Sequence, residues 1–375
     1  MATSVIVIGA GVVGAATAWS LAREGASVLL LEAFERGHDR GSSHGATRIF
    51  RHGYAEQDYV ELSVRALTGW KQLERISGRT LLDATGAVDH GDPVVLKAIA
   101  EAQDAAGLPY EWLTGAEAET RWPGLRFEDH VLFSPGGGRL RAADAQNALL
   151  DAAEGAGAEL RFGARATGVE DSGDNVTVVT DGGTHTADLV VVAAGSWTPS
   201  LLRPWLSAHG VELPEVRVTE EQPAHFPVLP GLADTETAWP SFVHHPTRDG
   251  AASAYGLLTP GEGVKVGFHG VGPEVDPDGR DRRIDPDRLE QLKRYVAEWV
   301  PGVDATHPEG ISCLYDSTEQ EDFVLDRVGK VVIATGFSGH GFKFGPALGD
   351  VLARLALHGE PAAPRFRVAV APPDA

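Results

Sequence analysis

The sequence predicts a mixed chain, α/β plus α+β: a parallel-strand domain that opens and closes the chain, with a mainly antiparallel-sheet domain inserted into it. Three observations predict it. A strand, a glycine-rich turn, a helix and a second strand follow one another from Ser4 to Glu32. The same texture returns from Lys330 to His358. Between about Val216 and Pro308, prolines, histidines and alternating strand patterns replace it. At 375 residues the chain exceeds the size at which one core keeps growing, so two domains are expected.

The opening unit carries every part of a Rossmann-like βαβ fold in order. Val5 to Ile8 reads as a buried parallel strand. Gly9, Gly11 and Gly14 supply a tight turn, close backbone approach to a pyrophosphate, and close helix–strand packing. Ala15, Ala16, Ala18, Trp19, Leu21 and Ala22 give the following helix an apolar face; Gly25 sits at its C-cap and Ser27 to Leu31 form the second strand. Glu32 ends that strand about 20 residues beyond Gly11, where a carboxylate can accept the ribose hydroxyls of an adenosine. The unit implies a bound adenine dinucleotide and leaves NAD and FAD both open, because both rest a pyrophosphate on a helix N-terminus.

Beyond it, Arg40 to Tyr54 reads as a loop rich in glycine, serine and histidine, followed by an amphipathic helix from about Tyr59 to Ile76. A helix over Ala142 to Ala153 stops at Gly155 before a strand, Glu159 to Phe162. Thr167 to Glu170, Asn175 to Thr180 and His185 to Asp188 read as strands, with an Asp181-Gly182-Gly183 turn, before the buried strand Leu189 to Ala193. In the middle block Gly256 to Leu258 and Val264 to His269 read as sheet strands. A helix there has Asp285 as N-cap, Pro286 at N1 and Pro301 as its stop. Lys330 to Ala334 reads as a buried strand and Gly345 to His358 as a helix entered through a glycine-rich turn. The expected division is 1–85, 140–215 and 310–375 for the dinucleotide-binding domain, and 86–139 with 216–309 for the substrate domain.

A formal charge of −21, from 32 basic and 53 acidic residues, argues against nucleic acid and anionic membrane surfaces as partners. An anionic substrate would need a local cluster of Arg and Lys. The single cysteine, Cys313, permits no intrachain disulfide and fits a reducing, cytoplasmic setting. The opening apolar stretch lacks a basic flank and is broken by glycines, so neither a signal peptide nor a membrane span is expected.

The later motifs narrow the reading. These are the run Gly41-Ser42-Ser43-His44-Gly45-Ala46-Thr47-Arg48-Ile49-Phe50-Arg51-His52-Gly53-Tyr54, the pair Lys265 and His269, Ser312-Cys313-Leu314-Tyr315, and the turn from Gly336 to Gly345. Together with Ala194-Gly195-Ser196-Trp197, which is similar to the second nucleotide-contacting crossing of flavoproteins, they resemble the D-amino-acid-oxidase group of FAD proteins. Within that group the chain is most similar to the monomeric sarcosine oxidases and N-methyltryptophan oxidases. The resemblance runs over most of the chain and keeps the motifs' order and spacing.

That resemblance implies FAD held along Gly9, Gly11, Val12, Val13 and Gly14, by Glu32, Ala33 and Phe34, and by Ser42, His44, Thr47 and Arg48. Val169, Gly195 and Trp197 would follow, and then Phe337, Gly339, His340, Gly341, Phe342 and Lys343. It also implies a covalent bond from Cys313 to the flavin 8-methyl carbon, with His44 and Arg48 as nearby cations that favour thiolate addition. The family oxidises secondary or N-methyl amino acids to imines, reduces the flavin at N5, and returns the electrons to O2 as H2O2. Arg51 and Lys343 would clamp the substrate carboxylate, a bidentate fork beside a point charge. Lys265 would activate O2 by stabilising developing superoxide. His269 would lie near the substrate amine, sharing a sheet face with Lys265, with Tyr255 and Tyr315 as walls.

Two departures bear on the substrate. Phe242-Val243-His244-His245 stands where sarcosine oxidases carry a pocket methionine, and Asp83 to Pro135 does not align with the family. Cyclic imino acids such as pipecolate or proline therefore stay beside sarcosine as expectations. So does an FAD dehydrogenase passing electrons to an acceptor other than oxygen. His244, His245 and His269 lack a recognised zinc-ligand spacing, so no metal is expected. The similarity to a monomeric family implies a monomer acting on a small amino acid and O2.

Overall fold

The chain enters the fold as its glycines dictate. β1 (Ser4–Ile8) turns through Gly9 into α1 (Val12–Arg23), which returns to β2 (Ser27–Leu31). Gly9 has φ +102° and a Cβ there would lie 2.5 Å from the Ala193 carbonyl oxygen; a Cβ on Gly14 would lie 1.8 Å from that of Gly9. Gly14 is therefore the packing glycine, and only a backbone without a side chain lets α1 sit on the turn. The structure is a computed structural model and describes residues 2–232, 239–248 and 250–368.

The stretch expected as a continuous loop contains a strand, β3 (Thr47–Phe50), before α2 (Gln57–Ser77), which ends on left-handed Gly78. The segment that aligned with no family pattern folds as β4 (Leu82–Asp83), β5 (Ala87–Gly91), α3 (Pro93–Ala105), β6 (Glu111–Thr114), α4 (Gly115–Arg121) and β7 (His130–Ser134). Its caps are local and strong. Asp92 accepts from the Val94 amide with Pro93 at N1, and Thr114 with Glu117 forms a capping box. β8 (Gly138–Arg141), α5 (Ala142–Gly155) and β9 (Glu159–Arg161) follow, then the antiparallel sheet of β10 (Ala166–Ser172), β11 (Asn175–Thr180) and β12 (Gly183–Ala187). β13 (Leu189–Val192) returns the chain to the core and α6 (Thr198–Ala208) leaves it.

The middle of the chain supplies β14 (Arg217–Glu221), β15 (Ala224–Phe226), β16 (Ser241–His245), β17 (Ala254–Thr259) and β18 (Gly263–Phe268). α7 (Pro286–Trp299) starts as read from the sequence, with Asp285 accepting from the Asp287 and Arg288 amides. β19 (Glu309–Gly310), β20 (Cys313–Ser317), β21 (Val324–Val328), β22 (Val331–Thr335) and α8 (Gly345–His358) complete it.

Two large sheets result. One has six strands in the order β21-β22-β13-β1-β2-β9, parallel apart from the β21 edge. α1 packs against α8 on one face, where a Cβ on Gly349 would come within 2.5 Å of the Ala16 carbonyl oxygen. The other sheet has eight strands in the order β19-β15-β18-β17-β16-β5-β7-β6 and is antiparallel except where β16 meets β5. The early segment 86–139 and the later segment 216–309 thus meet in one sheet. β14 pairs with β20, and β3 pairs with β8 in a small third sheet. Among the described residues no helix is long and apolar enough to cross a membrane.

Gly14→Ala is expected to lower unfolding free energy by about 3 kcal/mol, since its Cβ meets backbone that cannot give way. At Gly11 a Cβ meets only the Ser43 hydroxyl, at 3.2 Å, so Gly11→Ala should cost about 1 kcal/mol or less. Denaturant titration of both variants checks the contrast.

Candidate active site

A cleft of about 900 Å³ runs from the glycine turn to the face of the eight-stranded sheet, near the upper end of the ~300–1,000 Å³ usual for small-molecule sites. At one end lie Gly9, Gly11, Val12 and Val13. Gly11 caps α1 without a side chain of its own; the Val12 amide donates to Ser43 Oγ at 3.1 Å, and the helix N-terminus that opens onto the cleft favours an anion. Glu32 is buried, its Oε2 accepting from the Ala10 amide at 2.7 Å and its Oε1 from the Phe34 amide at 3.0 Å. Burial would push this carboxyl up, but hydrogen bonds from His38 and the Ala10 amide outweigh it and hold it below its ordinary range. Ala33, Phe34, Gly195 and Trp197 extend the wall; the Trp197 indole donates to Asp278 and Arg165 stacks near Phe34.

Three residues expected on the cofactor do not line this cleft. Gly14 packs beneath the turn. Val169 is buried in the apolar core around β13 and α6, beyond the register shift between Ala166 and Gly168, while Ala166 and Thr167 line the cleft instead. Thr47 is also buried, and offers its carbonyl oxygen from below.

The middle of the cleft is built on that carbonyl. Lys265 Nζ donates to Thr47 O at 2.8 Å, and so does Arg48 Nη1, also at 2.8 Å. Arg48 further grips the Ser42 and His44 carbonyls, which closes the 42–48 loop around its guanidinium. Lys265 is 5% exposed. Burial, reinforced by the Arg48 charge, lowers its pKa to about 7. The same two causes take His44 to about 4, and its Nε2 is buried on the cleft wall with no hydrogen-bond partner among the described residues. Ser42 Oγ donates to the Leu314 carbonyl and ties the loop to β20, whose first residue is Cys313. Cys313 faces the cleft together with Tyr255 and Tyr315. β18 ends at Phe268, so His269 lies one residue past the strand rather than on it. Its amide still bonds to Ser253, and its ring lies 5.4 Å from that of Tyr315.

At the far end Arg51 and Lys343 both line the cleft. The turn that delivers Lys343 is fixed by Asp316, whose Oδ2 accepts from the Thr335 hydroxyl and the Gly336 amide. Burial pushes this carboxyl up to about 6. Gly339 is required there, because a Cβ would lie 2.2 Å from the Tyr315 ring. Phe337, His340, Gly341 and Phe342 line the cleft beside it. Lys343 Nζ donates to the Tyr54 hydroxyl at 2.7 Å and to the His340 carbonyl at 2.8 Å.

Arg51 brings a partner that sequence reasoning missed. Its Nη1 lies 3.2 Å from Asp89 Oδ1, and the same oxygen takes His245 Nε2 at 3.0 Å. Asp89 is fully buried on β5; burial alone would push its carboxyl up, and Arg51 and His245 hold it down. The unaligned segment gave no signal for it beyond an acid inside the short apolar run Ala87-Val88. The two histidines of β16 separate by the period of two: His245 faces the cleft, whereas His244 stacks on His90 at 4.2 Å beneath α7 and bonds to Glu128. Tyr54 lay inside the family-like run but carried no assigned role; here it joins the two cations, its ring 4.6 Å from Arg51.

A parallel dinucleotide cradle joined through one cleft to buried cations beside an antiparallel sheet defines a dinucleotide-dependent oxidoreductase. The chain belongs to the DAO family of FAD-dependent oxidoreductases, whose model matches residues 4–355. It is 33% identical over 368 residues to a monomeric sarcosine oxidase of Bacillus sp. (strain B-0618), covering 95% of this chain and 92% of that one. It is 32% identical over 363 residues to the N-methyl-L-tryptophan oxidase of Yersinia pestis (strain Pestoides F), with 94% of each covered. Among solved structures it is similar to the open form of NikD, an unusual amino acid oxidase essential for nikkomycin biosynthesis. The TM-score is 0.83 at 29% identity, over 98% of this chain and 99% of that one.

Asp89→Ala should lower stability by about 3 kcal/mol, because it leaves the largely buried Arg51 without the fully buried carboxylate that pairs with it. The double variant Asp89→Ala with Arg51→Met should recover most of that loss in a denaturant-based cycle.

Proposed function

We propose that the protein oxidises the C–N bond of a secondary or N-methyl amino acid, sarcosine or a close analogue, to an imine, with O2 reduced to H2O2. The observation that carries this reading is the convergence of Arg51 and Lys343 on one end of a cleft whose other end is a dinucleotide cradle. In a chain of net charge −21, two basic side chains brought to one spot fit a substrate carboxylate. Likeness to sarcosine and N-methyltryptophan oxidases supports the N-alkyl amino acid class.

The residues present fit FAD. His44 Nε2 is an orphaned donor or acceptor on the cleft wall, Gly11 brings side-chain-free backbone to the lining where a pyrophosphate must approach, and Glu32 waits just past the end of β2. When bound, FAD would supply a two-electron acceptor between amine and oxygen. Arg51 and Lys343 would then orient the substrate by its carboxylate, and Tyr255 and Tyr315 would wall the reacting carbon and exclude water. His269 would face the substrate amine. Lys265, fixed by Thr47 O, would place a positive charge where oxygen gains electrons. That charge favours an oxidase over a dehydrogenase using another acceptor. Cys313 would be the covalent attachment point, since it opens β20 in the cleft wall beside the Ser42 tie. The division of the chain expected from sequence goes with this reading: 1–85, 140–215 and 310–375 for the cofactor, 86–139 and 216–309 for the substrate. The protein would work as a monomer in the cytoplasm.

An H2O2-coupled screen over sarcosine, N-methyltryptophan, pipecolate and proline tests the reaction, and no peroxide from any of them sinks it. Acid-precipitated protein should keep its yellow colour, and Cys313→Ser should release free FAD into the supernatant. Lys265→Met should slow the oxygen half of turnover at least about a hundredfold and the amine half far less, as read by stopped-flow absorbance.

A further inference from the structure

We propose that Lys343 enters the substrate complex as a neutral amine and takes up the proton that the substrate's ammonium must lose before its C–N bond can be oxidised. The inference rests on the carboxylate clamp proposed above and adds an acid–base role to it.

The geometry of the amine carries the inference. Lys343 Nζ is buried and has two acceptors, the Tyr54 hydroxyl and the His340 carbonyl, which is the number of N–H groups on a neutral primary amine. Among the described residues no carboxylate lies within ion-pair distance of it. The acid nearest in effect, Asp89, is already engaged by Arg51 and His245 through one oxygen. The backbone cannot relax toward solvent, since Lys343 O is held by the Trp70 indole at 2.7 Å and the 342–344 turn is packed on α2.

The titratable groups facing Nζ are Arg51 and Tyr54 from the segment after β3, Asp89 from β5, and His340 from its own turn. Arg51 opposes a second positive charge and Asp89 only partly offsets it. His340 is held neutral by burial, and Tyr54 is pushed up by burial. Burial and then Arg51 lower Lys343 well below the usual lysine range. None of these neighbours supplies the countercharge that a buried ammonium needs.

A substrate carboxylate supplies it. An amino acid arrives as a zwitterion, and its secondary ammonium has no lone pair to assist oxidation. In the complex one N–H bond of the ammonium breaks and one forms on Nζ, so R2NH2⁺ and Lys–NH2 become R2NH and Lys–NH3⁺. No proton is exchanged with solvent, and the new Lys–NH3⁺ pairs with the carboxylate. A carboxylate that brings no ammonium must instead draw its proton from water.

The test is the pH dependence of ligand dissociation constants, read from the flavin absorbance of the holoenzyme between pH 8 and 9.5. That window lies above Lys265, at about 7. Propionate should weaken about tenfold per pH unit, the signature of one proton taken up per ligand bound. Non-oxidisable 2-aminoisobutyrate, which carries its own ammonium, should bind with a nearly flat profile. Lys343→Arg, which keeps the positive charge but cannot be neutral, should flatten the propionate profile while preserving binding. A flat propionate profile in the unmodified protein, or a tenfold slope that survives Lys343→Arg, overturns the inference. Propionate binding that is indifferent to Arg51→Met overturns the clamp beneath it, a different result from either.

Discussion

The carbonyl oxygen of Thr47 is the point on which the site turns. It accepts from Lys265, on the eight-stranded sheet, and from Arg48, on β3, which follows the loop that approaches the dinucleotide cradle. Behind it the Thr47 hydroxyl meets Thr259 at 2.7 Å, which locks β3 against β17. One peptide thus sets the spacing of two basic side chains and joins the two halves of the cleft. Among the described residues neither side chain has a carboxylate within ion-pair distance, so positive charge here has no protein countercharge in contact until something anionic enters. That is the inverse of the molecular surface, where the excess of acids lies.

The same economy recurs at the far end. Arg51 is steadied by Asp89, yet Asp89 uses one oxygen for both Arg51 and His245, leaving the other edge of the guanidinium toward the cleft. Gly53 makes the pairing possible, since a Cβ there would lie 2.4 Å from Asp89 Oδ2 and 2.8 Å from Arg51 Nη1. The clamp is held in shape before any ligand arrives, which reduces the cost of ordering it on binding.

The features legible in the sequence are those that depend on local chemistry. The βαβ unit follows from three glycines and an apolar run, and α7 and α8 from their caps and prolines. β3 was hidden in a glycine-rich loop because its partner, β8, lies about 90 residues further on and no local pattern marks the pairing. Asp89 was invisible for the same reason: its counterion and the parallel strand β16 come from remote parts of the chain. Lys265 could have faced either side of its strand by periodicity alone, and the Thr47 carbonyl decides which. His244 and His245 show the opposite lesson, for the alternation that separates them was present in the pattern from the start.

The single parallel pairing of β5 with β16 has a consequence for how the chain is made. Ribosomal synthesis delivers the cradle first, then Arg51, then Asp89, and only much later the strand that carries His245 and the turn that carries Lys343. Until β16 emerges, β5 has a bare edge and only β5, β7 and β6 of the large sheet can pair. Sheets assembled from remote strands close slowly. A nascent chain can therefore present the nucleotide-holding turn long before it can seize a substrate, and redox turnover waits for the turn that carries Lys343.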